Sequence, residues 1–249
     1  MLSSVANIAR ILRSFHLACP ELSLTELSRS LDIPKTTMLK LLHTMRAEGF
    51  LEKDPQTGKY RPGQRTLSMS YAILSQSHLA RTALPFLQSL VQQTGLVAHL
   101  TRYERGEAVW ITKVDSPWHP ALYSRVGRRV PAYAPASGKA ILAFLDADEL
   151  GWVLASDWKP LTSKTQTDKR VFSAELLGIQ KAGYSLQREE VEEGIASVGG
   201  PLLNDRGQAI ASISLAGPVQ RFNAVSVREL GTLVKKTAHE IAHCVSCSS

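Results

Sequence analysis

The chain has 249 residues, 44% of them hydrophobic and 20% charged, with a net charge of +7 at pH 7. This composition indicates a globular protein with one small and one larger domain. It has no apolar run long enough to span a bilayer, and Arg10 and Arg13 interrupt the segment where a signal peptide needs its apolar core, so we expect a cytoplasmic protein. Three cysteines, Cys19, Cys244 and Cys247, are too few for a disulfide framework.

The first 65 residues contain ten Lys and Arg against six Asp and Glu, an excess of positive charge that suits phosphate binding. A helix should open the chain, and a second helix is predicted from Leu24 to Ser30 with Thr25 as its cap. Residues 31–34 form a turn before a third helix that ends at Gly49. The i, i+3, i+4, i+7 spacing of its apolar residues predicts a buried stripe of Met38, Leu41, Leu42 and Met45.

The opposite face of this third helix mixes hydroxyl, cationic and small apolar groups, which suits a DNA major groove. Residues 50–53 and 59–61 flank a turn rich in Pro and Gly, which predicts a hairpin, or wing, ending in two cations. The order of these features favours DNA binding over the alternative, a small helical core with a solvated charged face. The predicted DNA-binding residues are Lys35, Thr36, Thr37, Leu39, Lys40, His43, Lys59 and Arg61.

A connector follows the wing. Apolar residues at helical spacing predict one helix over residues 64–82, and Pro85 should begin a further helix that runs to Thr94. The exposed apolar residues of the connector could pair two protomers; alternatively, the connector packs on its own second domain. The predicted domains are residues 1–63, a linker helix at 64–83, and residues 84–249.

From Val97 onward, alternating polar and apolar residues indicate strands as well as helices. The predicted order is strands first, helices in the middle, then strands and a closing helix. This order indicates an α+β domain built on one antiparallel sheet. The predicted elements are a hairpin at 97–114, a strand at 121–125, helices at 137–145 and after Asp146, a helix at 168–182 ended by Gly183, strands at 184–189, 197–203 and 208–215, and a helix opened by Ser226.

Short motifs in a fixed order extend along nearly the whole chain. They are Leu24-Thr25-Glu26-Leu27, Ile33-Pro34-Lys35-Thr36-Thr37, Leu41-Leu42, Gly49-Phe50-Leu51, Tyr60-Arg61, Ala136-Ser137-Gly138-Lys139-Ala140-Ile141-Leu142-Ala143, Gly183-Tyr184, Glu189-Glu190 with Gly194, Pro201, Asp205 with Gly207, and Ser212-Ile213-Ser214-Leu215-Ala216-Gly217-Pro218. In this order they resemble the IclR-type bacterial transcriptional regulators. The resemblance implies a winged helix-turn-helix joined by a helix to a GAF-like effector-binding domain, acting as a dimer or a dimer of dimers.

The resemblance also implies the partners and the effector site. The partners would be double-stranded operator DNA and a small organic or aromatic acid that controls a catabolic operon, with repression as the expected sign. The implied effector-binding residues are Leu122, Val130, Ala136, Ser137, Gln187, Ile195, Ser197, Ser214 and Ala216. Independently, a helix N-terminus at Ala136 and Ser137 would favour a carboxylate; alternatively, Ser137 only caps its helix.

Two effector positions depart from the family pattern, because Gln187 replaces an acid and Ala216 replaces a hydroxyl. An amide supplies no negative charge and a methyl group donates no hydrogen bond, so the ligand should differ from the one those groups suit. We therefore predict a larger and more apolar pocket, suited to an aromatic or longer-chain acid.

Three further motifs suggest other chemistry. His239-Glu240-Ile241-Ala242-His243 spells H-E-x-x-H, so a zinc metallopeptidase is the alternative enzyme hypothesis, although only six residues remain after His243 to supply a third ligand. Cys244 and Cys247 form a C-x-x-C, which suggests an adventitious metal or redox site or simply a frayed helix end.

Gly138-Lys139 lacks the other residues of a phosphate loop, and residues 189–193 are interpreted as a solvated acidic turn. We therefore predict a non-enzyme without cofactor or metal. A metabolite sensor that uses its winged helix to bind another protein is the alternative.

Overall fold

The computed structural model describes residues 3–15, 19–118, 122 and 124–247. The chain divides into two compact units, Met1–Ser77 and His78–Ser249.

The first unit is a winged helix-turn-helix. Its elements are α1 (Ser3–Ser14), α2 (Leu24–Leu31), α3 (Lys35–Ala47), β1 (Leu51–Lys53), β2 (Tyr60–Pro62) and α4 (Gln64–Gln76). One core cluster joins Ile11 of α1, Leu27 of α2 and the predicted stripe of α3, in which Met38, Leu42 and Met45 are buried. The predicted helix-turn-helix and wing are therefore confirmed.

The cap of α2 differs from the prediction. Ser23 accepts a hydrogen bond from the backbone N–H of Glu26 at 3.2 Å, and the Glu26 carboxylate accepts one from the backbone N–H of Ser23 at 2.7 Å. This reciprocal capping box satisfies two N–H groups at the helix start, so the assignment of Thr25 as the cap was wrong.

The second unit packs helices on both faces of an antiparallel sheet. Its elements are α5 (His78–Thr94), β3 (Val97–Glu104), β4 (Glu107–Val114), β5 (Arg129–Pro131), α6 (Ala136–Leu142), α7 (Ala147–Ala155), α8 (Lys169–Ala182), β6 (Ser185–Arg188), β7 (Ile195–Leu203), β8 (Ala209–Pro218), a short 3-10 helix (Val219–Arg221) and α9 (Ala224–Ser246). Among the described residues its strands have the order β5-β4-β3-β8-β7-β6. The predicted α+β class is confirmed.

Side chains alternate between the two faces of this sheet, as the strand period of two requires. Ala98, Val198 and Ile213 belong to the core cluster that also contains buried residues of α5 and α9. Their neighbours in sequence point to the opposite face, where α6 lies against β7 and β8. That second face carries the candidate effector residues of β7 and β8.

The predicted single connector helix was wrong, because α4 and α5 are separate helices with Ser77 between them. Pro85 does not begin a helix but lies inside α5. Proline removes one backbone hydrogen bond, but Ala83 and Leu87 on either side of it are buried in the same core, and this packing retains the helix.

The predicted strand at 121–125 was also wrong in its described part; residues 121 and 123 lie outside the described residues. Leu122 and Ser124 lie in an irregular segment, and the strand at this edge of the sheet is β5. The closing helix begins at Ala224 rather than near Ser226, because the Asn223 side chain accepts hydrogen bonds from two N–H groups of the first turn.

Candidate functional site

The exposed face of α3 is the candidate DNA interface. All six predicted residues of this helix are exposed: Lys35, Thr36, Thr37, Leu39, Lys40 and His43. Leu39 is 53% exposed although it is apolar, which suits contact with the thymine methyl group. The face therefore combines cations for phosphate with groups that can contact base edges.

The wing presents its two predicted cations differently. Lys59 is half-buried at the start of the second wing segment, whereas Arg61 lies 3.2 Å from Glu52 and 3.7 Å from Glu21 in ion pairs. Asp54 shapes the turn by accepting hydrogen bonds from the N–H groups of Gln56 and Thr57, and these bonds lower its pKa. Since Arg61 already has two carboxylate partners, phosphate must compete with them.

A cavity on the second face of the large sheet is the candidate effector pocket. It encloses about 430 Å³ of space, including its open mouth. The lining residues are His99, Trp110, Leu122, Ser124, Arg128, Pro135, Ser137, Gln187, Val191, Glu192, Ile195, Ser197, Ser214 and Ala216. Leu122, Ile195 and Ala216 pack together as an apolar part of this lining.

The pocket brings together seven of the nine predicted effector residues; Val130 and Ala136 do not line it. Val130 packs in a neighbouring core cluster. Ala136 lies against the sheet, where its carbonyl oxygen accepts a hydrogen bond from Ser185 Oγ at 2.6 Å. A Cβ at Gly199 would lie 2.7 Å from that same oxygen, so glycine there permits the close approach.

His99 provides a polar group that the sequence analysis missed. It is 2% exposed, and its Nε2 lies 2.8 Å from Ser124 Oγ. Burial, and secondarily the positive charge of Lys113, lower the pKa of His99 to about 3, so the imidazole is neutral at physiological pH. Its Nδ1 has no hydrogen-bond partner among the described residues.

Ser137 is the second unpartnered polar group of the pocket. Its Oγ is buried and has no hydrogen-bond partner in the described part of the chain. Pro135 occupies the cap position of α6, so the alternative that Ser137 serves only as a helix cap was wrong. Ser212 fixes the backbone of Ser137 by donating to its carbonyl oxygen at 2.8 Å.

Gln187 uses both ends of its amide within the protein. Its Nε2 donates to Ser197 Oγ at 3.0 Å, and its Oε1 accepts from the backbone N–H of Glu190 at 2.9 Å. Because Ser197 accepts from this amide, its own hydroxyl proton can point towards a ligand.

Known proteins with this architecture identify the family. Residues 71–243 match the family described as bacterial transcriptional regulator IclR C-terminal, and residues 4–55 match the IclR helix-turn-helix domain. The chain belongs to the IclR family. This family consists of DNA-binding transcriptional regulators and is non-enzymatic.

Individual IclR-family relatives match over most of their length. The HTH-type transcriptional regulator XynR of Escherichia coli is 30% identical over 224 residues, which cover 90% of this chain and 89% of XynR. The HTH-type transcriptional repressor AllR of Salmonella typhimurium is 28% identical over 221 residues, covering 88% and 81%. A solved IclR homologue from Microbacterium hydrocarbonoxydans in complex with 4-hydroxybenzoate superimposes with a TM-score of 0.86 at 22% identity, covering 98% and 99%.

The alternative hypothesis of a zinc metallopeptidase was wrong, because the IclR family is non-enzymatic. His239 and His243 are exposed on α9, and Glu240 lies 3.8 Å from Lys236. Among the described residues, no group of three or more His, Cys, Asp or Glu is arranged to hold a metal ion. In the same part of the chain, no helix is both long and apolar enough to cross a membrane.

The solvated acidic turn predicted at residues 189–193 was wrong for Glu190. That residue is 8% exposed, and one of its carboxylate oxygens lies 2.6 Å from Nζ of the buried Lys139. Lys139 also contacts Glu175, so this lysine pairs with two carboxylates instead of belonging to a phosphate loop.

The other missed residues of this IclR-family pocket are Trp110, Ser124, Arg128, Pro135, Val191 and Glu192. The Trp110 ring centroid is 5.7 Å from that of His99 and 5.8 Å from Cζ of Arg128. His99 could have been found from the sequence, because it alternates with the apolar residues of β3 and must face away from the α5 and α9 core.

Proposed function

We propose that this chain is a transcriptional repressor of a catabolic operon and that a small organic or aromatic acid binds its C-terminal unit. Its partner would be double-stranded operator DNA in the cytoplasm, bound by a dimer or a dimer of dimers. Residues 1–63 would form the DNA-binding domain, 64–83 the linker and 84–249 the effector domain. Repression is supported by the similarity to AllR, which is named a repressor.

The exposed chemistry of α3 supports contact with a major groove. Lys35 and Lys40 would bind phosphates, with Lys59 and Arg61 of the wing adding weaker contacts. Thr36, Thr37, Leu39 and His43 would lie nearer the base edges. A dimer would place two such helices in successive major grooves of a near-palindromic operator.

Replacing Lys40 by alanine should weaken DNA binding and reduce the slope of log affinity against log salt by about one unit, because one phosphate contact no longer releases a counterion. The measurement is fluorescence anisotropy with duplex DNA from upstream of the protein's own gene, at several salt concentrations. Lys236→Ala is the control, since it removes the same charge from an exposed position on α9. Equal slopes for Lys40→Ala and the unmodified protein would contradict this placement of α3.

The observation that carries the effector proposal is that two residues lining one cavity each have a buried polar atom with no hydrogen-bond partner among the described residues, His99 Nδ1 and Ser137 Oγ. Buried polar groups normally have hydrogen-bond partners, so these atoms suit a ligand that provides them. The guanidinium of Arg128 suits a carboxylate, and the nearby Trp110 ring suits a flat apolar body. The 4-hydroxybenzoate bound by the Microbacterium homologue has this chemistry.

A thermal-shift screen of organic and aromatic acids, including 4-hydroxybenzoate, tests the effector proposal. An acid present at 100 times its Kd stabilises the folded unit by about 2.7 kcal/mol, which is a measurable shift in Tm. Ser214→Ala should weaken binding of that acid roughly tenfold by removing a hydroxyl from the pocket lining.

The control is Ser173→Ala, whose hydroxyl bonds to the backbone of its own helix α8 at 2.7 Å. This substitution should leave acid binding unchanged. If no acid in the panel raised Tm, the proposed effector class would be wrong.

A further inference from the structure

Lys139 lies at the centre of a buried charge cluster beside the pocket. It is 1% exposed, and its Nζ lies 2.9 Å and 3.1 Å from the two carboxylate oxygens of Glu175 and 2.6 Å from Glu190 Oε1. Lys139 follows the pocket residue Ser137 by two positions on α6. The cluster therefore connects α6 to α8 through Glu175 and to the segment after β6 through Glu190.

Glu190 lies next to the pocket, and four groups hold it in place. Its second carboxylate oxygen accepts from the backbone N–H of Gln166 at 3.1 Å, and its carbonyl oxygen accepts from Thr165 Oγ1 at 2.7 Å. Its N–H donates to Gln187, and Lys139 provides the charge. Buried hydrogen bonds to a charged group are stronger than those between neutral groups, so the lysine contact is the strongest of these restraints.

The two residues that follow Glu190 form part of the pocket. Val191 and Glu192 both line the cavity, and we call them the pocket wall. Their backbone follows directly from the restrained Glu190. Glu175 lies on α8, and no residue of α8 lines the cavity. Both carboxylates therefore pair with Lys139, but only Glu190 is joined through the backbone to the pocket wall.

We propose that Lys139 is a positioning residue that fixes the pocket wall through Glu190, so that the shape of the cavity depends on this ion pair. This inference rests on the proposed function only in assuming that the cavity binds an effector. A lysine that served merely to attach α6 to the rest of the fold would act equally through both carboxylates.

Hydrogen–deuterium exchange on the full-length protein distinguishes these two roles. Glu190→Gln and Glu175→Gln each keep the side-chain volume and remove one negative charge from Lys139. In Glu190→Gln the amides of residues 189–194 should exchange about tenfold or more faster than in the unmodified protein, because a charged restraint is weakened. In Glu175→Gln exchange of the same amides should change less than about twofold.

Equal acceleration in the two variants, or none in Glu190→Gln, would overturn the proposal. If Glu190→Gln failed to fold, Glu190→Asp would be measured in its place. The shorter side chain keeps the negative charge but moves the carboxylate away from Lys139. If the amides of residues 189–194 then exchanged as slowly as in the unmodified protein, the inference would be contradicted. No ligand is needed, so a failed acid screen would refute the proposed effector and leave this result standing.

Discussion

Replacing Lys139 by methionine should lower the free energy of unfolding of the second unit by about 3 kcal/mol or more. Methionine fills a similar volume, but Glu175 and Glu190 then face each other without a cation. Burial already raises the pKa of Glu190, and Lys139 opposes that shift. Removing one partner of a buried ion pair leaves a charge with neither water nor a counterion, which is why the expected loss is large.

Urea unfolding followed by tryptophan fluorescence measures this change specifically. All four tryptophans, Trp110, Trp118, Trp152 and Trp158, lie in the second unit, so the signal reports on that unit. Lys164→Met is the matched control, because Lys164 pairs with Glu189 at an exposed position and should contribute no more than about 1 kcal/mol. Similar losses in the two variants would contradict the assignment of Lys139 to a buried cluster.

The helix-turn-helix could be predicted from the sequence because its determinants are local. The stripe of α3 repeats with the helical period, and the turn before it and Gly49 after it interrupt that period. The chemistry of its exposed face follows from the same rotation. Local patterns were less informative at the start of α2. Thr25 lies inside this helix, and the residue that caps it is Ser23, which precedes it.

The effector pocket was only partly predictable, because strands and loops distant in sequence assemble it. The resemblance supplied seven lining residues, but it gave no indication of Arg128 or Trp110. Their place depends on how the segment before β5 packs over β4, and no spacing within either segment encodes that packing. Val130 is two residues from Arg128, yet it does not line the pocket and packs in the core cluster that also contains Trp110.

The Lys139 cluster shows a second limit of sequence reasoning. Lys139 and Glu190 are 51 positions apart, and both residue types are solvated in most proteins. A run of glutamates after β6 therefore predicted a solvated turn. Only the tertiary fold, which places that turn against α6, converts one of those glutamates into a buried partner.

Replacing Gly138 by alanine should destabilise the second unit by about 1–3 kcal/mol, although alanine normally favours a helix over glycine. Gly138 lies in α6 between Ser137 and Lys139, and a Cβ there would lie 2.1 Å from the carbonyl oxygen of Ala132. That oxygen belongs to the backbone, so it cannot move aside as the end of a side chain could. Relief of the overlap requires a shift of α6, which carries both the pocket hydroxyl and the buried lysine.

Gly178→Ala is the control for this prediction. Gly178 lies inside α8, and no atom of the described residues lies within 4 Å of the position that a Cβ would take there. Alanine should therefore stabilise the unit there by about 0.5–1 kcal/mol through the helix preference alone. The two substitutions are chemically identical and should have opposite signs in urea unfolding. If Gly138→Ala also stabilised the unit, the close approach of α6 to residue 132 would be wrong, and with it the placement of Ser137 in the pocket.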